Sequence, residues 1–256
     1  FLEMGDGPLV IANNVIAYSV SGNETHHRGG HGIYGHDASG VTVAHNLLYA
    51  NAGMGVTARI VADRTVAGKP AEASRWVVRN NLILGNKSGD VAFTVPFDRA
   101  TDNVSNHNVF MVSGLGKEAG RFALNTVTTS TAKQPVEKVV AYLQETMVEK
   151  NVPQASFPAL ATWARVPWMA LPEWQQVLGQ DRDSTLLNPN SSMTLRRGTL
   201  QFHTAPEAGV YKKRFPKFDA VDQDYFGNPL EGEQVFAGPF QNAKGATESL
   251  VLWPKD

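Results

Sequence analysis

The sequence predicts an all-β chain coiled as a right-handed parallel β-helix, a solenoid followed by a C-terminal helix and an irregular capping segment. Three observations predict it. The segments Ile11-Ala12-Asn13-Asn14-Val15-Ile16, Val43-Ala44-His45-Asn46-Leu47-Leu48, Val78-Arg79-Asn80-Asn81-Leu82-Ile83 and Ser105-Asn106-His107-Asn108-Val109-Phe110 align without gaps. Their asparagines, Asn14, Asn46, Asn81 and Asn108, recur after 32, 35 and 27 residues, too irregular for a helical repeat but natural for a coil whose turns accept insertions. Short β-branched runs such as Gly40-Val41-Thr42-Val43 and Arg75-Trp76-Val77-Val78 flank them, punctuated by Gly, Asn and Asp. A β-sandwich would instead show a hairpin turn about every 8 to 12 residues.

Residues 1–125 are expected to form the coils. An asparagine at a recurrent corner tolerates left-handed backbone, and its amide can bond to the asparagine of the next coil. Val43, Leu47, Val78 and Leu82 are expected inside. Residues 126–190 read as a helical, Trp-rich insertion lying on the side of the solenoid. Within it Val136, Val139, Val140, Leu143 and Met147 make a helical stripe between Pro135 and Lys150. A second, short helix is bracketed by Pro172 and Gly179. Residues 191–256 supply closing strands, Thr199 to His203 and Phe215 to Phe218, expected to cap the open end of the solenoid.

Composition narrows the functional classes. The 256 residues carry 23 basic and 24 acidic side chains for a net charge of −1, so no overall basic field draws nucleic acid or anionic lipid. Neither nucleic acid nor membrane is an expected partner. No apolar run reaches the roughly 18 residues that a bilayer-spanning helix needs. The absence of cysteine excludes disulfides, thiolate metal sites and cysteine nucleophiles. No G-x-x-x-x-G-K-[ST], G-x-G-x-x-G, H-E-x-x-H or G-x-S-x-G motif is present. The chain opens at Phe1 inside a strand-and-turn pattern, which reads as a C-terminal fragment of a longer protein.

The stretch Phe1-Leu2-Glu3-Met4-Gly5-Asp6-Gly7-Pro8 leading to Asn13-Asn14 resembles right-handed β-helix glycosidases, closest to the β-xylosidase family numbered 120 among glycoside hydrolases. Trp174, Gly179, Asp181 and Ser184 match a W-x-x-x-x-G-x-D-x-x-S segment of β-helix carbohydrate enzymes, and Asp224-Tyr225-Phe226-Gly227-Asn228-Pro229 with Gly238-Pro239-Phe240 resembles their closing motifs. The resemblance implies that Glu3 is a general acid/base and that a nucleophilic aspartate lies upstream of Phe1. Asp6 stands where that family has a histidine.

A glycosidase needs two carboxyl groups, about 5 to 5.5 Å apart for retention of configuration. Glu3 lies eleven residues before Asn14, and the position eleven before Asn46 is Gly35, so the repeat puts no carboxylate in register with Glu3. The partner is therefore expected in a missing N-terminal segment. His36 and Asp37, displaced by one and two positions, are candidates for sugar contacts, although an Asx turn accounts equally well for Asp37. Tyr34 is a stacking platform; Trp76 reads as core. His31 ends the run His26-His27-Arg28-Gly29-Gly30-His31, whose spacing suits a polar loop at a cleft edge better than a metal site. Arg59 and Arg64 can bind a uronate carboxylate or serve as surface arginines.

The leading expectation is a retaining glycoside hydrolase on β-linked xylose-type sugars or related plant and algal glycans, needing no cofactor, with an oligo- or polysaccharide as its partner. A polysaccharide lyase using Ca²⁺ or arginine against a uronate, and a non-catalytic glycan-binding β-helix, are the alternatives. A bacterial secreted or periplasmic setting fits such substrates.

Overall fold

Short strands separated by sharp corners recur along the first half of the chain, and each pairs with its counterpart one repeat later. A computed structural model describes residues 1–20, 29–60, 64–66, 68–94, 102–111, 122–125, 160–161, 166–187, 192–203, 213–241 and 249–252. The first circuit consists of β1 (Leu2–Glu3), β2 (Asp6–Ala12) and β3 (Val15–Ala17). The second consists of β4 (Ile33–His36), β5 (Ser39–Ala44) and β6 (Leu47–Tyr49). The third begins with β7 (Met54–Arg59), puts out a small hairpin of β8 (Thr65–Val66) and β9 (Lys69–Pro70), and continues with β10 (Val77–Arg79) and β11 (Leu82–Leu84). The fourth is β12 (Gly89–Thr94), β13 (Val104–Asn106) and β14 (Val109–Met111).

Every pairing between these circuits is parallel. The rows β1-β4-β7-β12, β2-β5-β10-β13 and β3-β6-β11-β14 therefore make three sheets that the chain visits in the same order each time. Parallel strands need a long return path, and here the other two strands of the circuit provide it.

A fifth circuit is interrupted. β15 (Phe122–Asn125) extends the first sheet, and the short β16 (Leu160–Ala161) and β17 (Val166–Met169) add to it antiparallel. Next come α1 (Leu171–Leu178) and β18 (Thr185–Leu186), which extends the third sheet. The expected insertion thus begins and ends inside one circuit. The stripe predicted as a helix at 135–150 lies outside the described residues. The chain closes with β19 (Ser192–Arg196), β20 (Thr199–His203), β21 (Arg214–Pro216), β22 (Gln234–Phe236) and β23 (Ser249–Val251), paired as the antiparallel sets β19-β20-β23 and β21-β22. Among the described residues α1 is the one helix, and the chain is all-β.

The repeated asparagines form a continuous ladder. The backbone N–H of Asn14 donates to Asn46 Oδ1, that of Asn46 to Asn81 Oδ1 and that of Asn81 to Asn108 Oδ1, each at 2.9 Å. In return the amides of Asn46, Asn81 and Asn108 donate to the carbonyls of Ile11, Val43 and Val78 one circuit back. The left-handed backbone sits one residue earlier than the sequence suggested, at Asn13, His45, Asn80 and His107. Ser19, Asn51 and Asn86 make a second ladder at the next corner.

The first ladder ends on the Trp174-to-Ser184 motif. Asn108 N–H donates to Ser184 Oγ, and Asp181 Oδ1 accepts from both Asn108 Nδ2 and Ser184 Oγ. Trp174 Nε1 donates to Asp181 Oδ2 at 3.0 Å. Burial pushes the Asp181 carboxyl upward, opposed by these hydrogen bonds. Gly179, with φ of 68°, ends α1 in the left-handed conformation and delivers the chain to Asp181.

Two expectations about packing exchange places. The segment around α1, expected on the side, puts Leu171 and Trp174 into the interior cluster with Leu48, Val78, Ile83, Phe93 and Phe110. The C-terminal strands, expected at the end, cover the outer face of the third sheet. Leu47 and Leu82, predicted to point inward, are buried there against Phe215, Phe240 and Leu200, whereas Val43 and Val78 are interior. The reason is visible in Leu47-Leu48-Tyr49, Leu82-Ile83-Leu84 and Val109-Phe110-Met111, which are apolar on both faces and demand cover on both.

Asn81→Ala should cost about 1 to 3 kcal/mol, because it leaves the buried Asn46 N–H without its acceptor and removes a side-chain donor from the Val43 carbonyl. Asn14→Ala, at the exposed end of the ladder, should cost less than about 1 kcal/mol. Urea midpoints at unchanged slope measure both. His45 offers a pH test. Its buried ring sits between the Gly238 carbonyl and the Asn80 amide, and burial lowers its pKa to about 4. The unfolded chain then binds a proton below about 6.5 that the folded chain refuses, so stability falls as pH drops from about 6.5 to about 4. His45→Gln should remove up to about 3 kcal/mol of that acid sensitivity, read from urea midpoints across the interval.

Candidate functional site

Strands of the first sheet alternate between the interior and an outer face. Ile33, Gly35, Val56 and Ala58 face inward, so Tyr34, His36 and Arg59 face outward. Glu3 pairs with His36, and His36 with Arg59, which lines the three up across neighbouring strands. This register differs from the sequence expectation by one residue. Asp6 pairs with Ser39 and Leu9 with Val41, three steps against two, so β2 carries a bulge at Gly7-Pro8. The extra residue moves Glu3 from Gly35 to His36 and brings it beside Asp37.

Asp37 occupies the corner after β4 with φ of 51°, a conformation that an aspartate tolerates. Its backbone N–H donates to the Arg59 carbonyl at 2.8 Å, and its residue is only 1% exposed. Trp76 holds the corner from beneath, donating from Nε1 to the Ala38 carbonyl at 2.6 Å. The ring fits because position 35 is glycine: a Cβ there would lie 2.4 Å from Trp76 Cζ2. Trp76 is therefore core, as expected, and it also positions the site. Sequence reading missed this pairing of Gly35 with Trp76, for which a bulky residue one repeat away gives no signal.

Arg64 joins the two carboxylates. Its Nη1 lies 2.5 Å from Glu3 Oε1 and 3.7 Å from Asp37 Oδ2. Those two oxygens can thus be no more than about 6 Å apart. The Glu3 side chain is 43% exposed and the Asp37 side chain fully covered. Asp6, in contrast, turns to Arg75 over the second sheet and takes no part.

Beside the carboxylates runs a polar and aromatic strip. Arg59 Nη1 donates to the Tyr34 hydroxyl at 3.4 Å, and that hydroxyl is hydrogen-bonded to His36 Nε2. His31 stacks on Tyr34 with ring centroids 4.7 Å apart, and Phe1 packs against both Tyr34 and His36. His31 Nδ1 accepts from the Met54 N–H at 3.0 Å, which places the ring proton of the neutral form on Nε2. Burial, then the charge of Arg59, lowers the His31 pKa to about 4. The same two causes in the same order lower His36, against the opposing pull of Asp37 and Glu3. Both rings are neutral near pH 7.

All seven residues singled out from the sequence, Glu3, His31, Tyr34, His36, Asp37, Arg59 and Arg64, are brought together on this face. His26 and His27 lie outside the described residues. Among the described residues no group of three or more His, Asp or Glu side chains is arranged to hold a metal ion. Comparison with protein-family models, with curated proteins and with solved structures finds no match to this chain.

The neutral state of the buried His31 ring is testable by NMR. Its ring carbon shifts should stay flat from neutral pH down to about 5 and titrate near 4, whereas an ordinary histidine would titrate near 6.5.

Proposed function

We propose that the three-sheet circuit is a right-handed parallel β-helix and that the outer face of its first sheet is the active site of a retaining glycoside hydrolase acting on β-linked, xylose-type sugars. The observation that carries this reading is the convergence of Glu3 and Asp37 on one guanidinium nitrogen, at a separation of no more than about 6 Å. Retaining glycosidases place their carboxyl groups about 5 to 5.5 Å apart, and inverting ones leave room for a water at about 6.5 Å or more.

The different surroundings of the two groups suggest their roles. Asp37, covered and fixed by its corner, is the nucleophile: it forms a bond to the anomeric carbon as the glycosidic C–O bond breaks. Glu3, open to solvent, protonates the departing oxygen and then takes a proton from the water that hydrolyses the glycosyl-enzyme. Arg64 Nη1 lies 3.7 Å from Asp37 Oδ2, and in this reading it moves aside when the anomeric carbon reaches that oxygen. Phe1, Tyr34 and the neutral His31 provide apolar ring surface and an N–H donor beside the reacting centre. The resemblance of the Glu3 segment to β-helix xylosidases supports the same role for Glu3. In this reading the second carboxylate comes from within the chain, and a secreted or periplasmic location suits the substrate.

The test is hydrolysis of an aryl β-xyloside by the 256-residue chain. Glu3→Gln and Asp37→Asn should each reduce kcat by about a hundredfold or more. Azide added to Asp37→Ala should restore turnover with a glycosyl azide of inverted configuration, and added to Glu3→Ala one of retained configuration. Activity that survives Asp37→Asn would assign the nucleophile to a carboxylate outside these residues and overturn its role.

A further inference from the structure

Arg59 stands apart from the other arginines of this region. Arg64 is paired with Glu3 and Asp37, and Arg75 with Asp6. Arg59 has no carboxylate within ion-pairing distance among the described residues, and its Nε is buried without a hydrogen-bond partner. Its bond to the Tyr34 hydroxyl is long and uncharged on the acceptor side. A cation partly removed from water costs free energy unless an anion balances it, and among the described residues none does so for Arg59.

The surroundings of Arg59 are suited to an anion. It projects from the end of β7 in the same row as His36 and Glu3, on the face that also carries His31 and Tyr34. The His31 ring offers an Nε2–H donor because Nδ1 is occupied by the Met54 N–H. The Tyr34 hydroxyl adds a second hydrogen-bonding group. The planar guanidinium matches two oxygens of one oxyanion, which a neutral sugar hydroxyl cannot do.

From the unpaired guanidinium and the donors around it we infer that the site takes an acidic glycan, one whose sugar next to the reacting residue carries an oxyanion, and that Arg59 binds that group. The carboxylate of a hexuronate and a sulfate ester share this chemistry. The inference rests on the outer face of the first sheet being a sugar site; it does not require that site to hydrolyse a bond.

Binding is measured by calorimetry on Glu3→Gln, which prevents turnover, with three oligosaccharides of equal length: a neutral xylo-oligosaccharide, the same chain bearing one glucuronate branch, and the same chain bearing one sulfate ester. At least one acidic ligand should bind about tenfold or more tightly than the neutral one. The carboxylate and sulfate arms show which oxyanion is preferred. Arg59→Gln should abolish the preference, Arg59→Lys should keep part of it because the charge remains while the fork is lost, and Arg75→Gln, on another face, should leave it intact. Equal binding of acidic and neutral ligands, or a preference that persists in Arg59→Gln, would overturn the inference. Should Arg59→Gln fail to fold, the comparison of ligands on Glu3→Gln together with Arg59→Lys still decides. An acidic preference in a chain that hydrolyses no xyloside would sink the hydrolase and keep the inference, and an ultraviolet-absorbing unsaturated product from a 4-linked uronate oligosaccharide, in which abstraction of the C5 proton expels the glycosidic oxygen on C4, would mark the unmutated chain as a lyase. Hydrolysis of neutral xyloside with no acidic preference would do the reverse.

Discussion

The ladder of side-chain amides at the corner between the second and third sheets fixes everything else in register. A parallel strand pair offers no short hairpin to set its alignment, so the register of each circuit has to come from somewhere other than a turn. Asn46, Asn81 and Asn108 supply it by bonding forward to one circuit and back to another, and a one-residue slip would leave several buried polar groups unpaired at once. The ladder is not left open at its far end: Asp181 and Ser184 take over the acceptor positions, and Trp174 closes the interior above them.

Distribution of apolar surface decides which sheet faces the C-terminal strands cover. The third sheet is apolar on both sides and disappears under the C-terminal strands. Part of the second sheet is covered in the same way, with Ala44 packed on Val221, Leu230 and Val235. The outer face of the first sheet carries Glu3, Tyr34, His36 and Arg59 in place of aliphatics, and polar groups in such a row are kept by interactions with each other rather than by burial.

Charge in this row is arranged asymmetrically. Arg64 balances the two carboxylates at one edge, while at the other Arg59 faces two imidazoles that burial and its own charge keep neutral. A protonated imidazole there would add like charge beside Arg59, so the neutral state of His31 and His36 and the cationic state of Arg59 support each other. Trp76, although it belongs to the core, is part of the same arrangement, since it holds the Ala38 carbonyl and hence the corner that presents Asp37.

The sequence by itself determined the all-β class, the four asparagine corners and the short helix between Pro172 and Gly179; it named the seven candidate residues without bringing them together. Each of the first three depends on local chemistry or on a repeat: amide groups at fixed positions, a proline start and a glycine stop. Only the tertiary structure decided three further things. The bulge at Gly7-Pro8 shifted Glu3 by one residue and put Asp37 beside it, an outcome invisible to counting because counting assumes an unbroken register. The helix and the C-terminal strands exchanged places, because which apolar surface needs which cover depends on how all the circuits stack. And Arg64 came to bridge Glu3, 61 residues before it, and Asp37, 27 residues before it, a pairing that no spacing rule in the chain encodes.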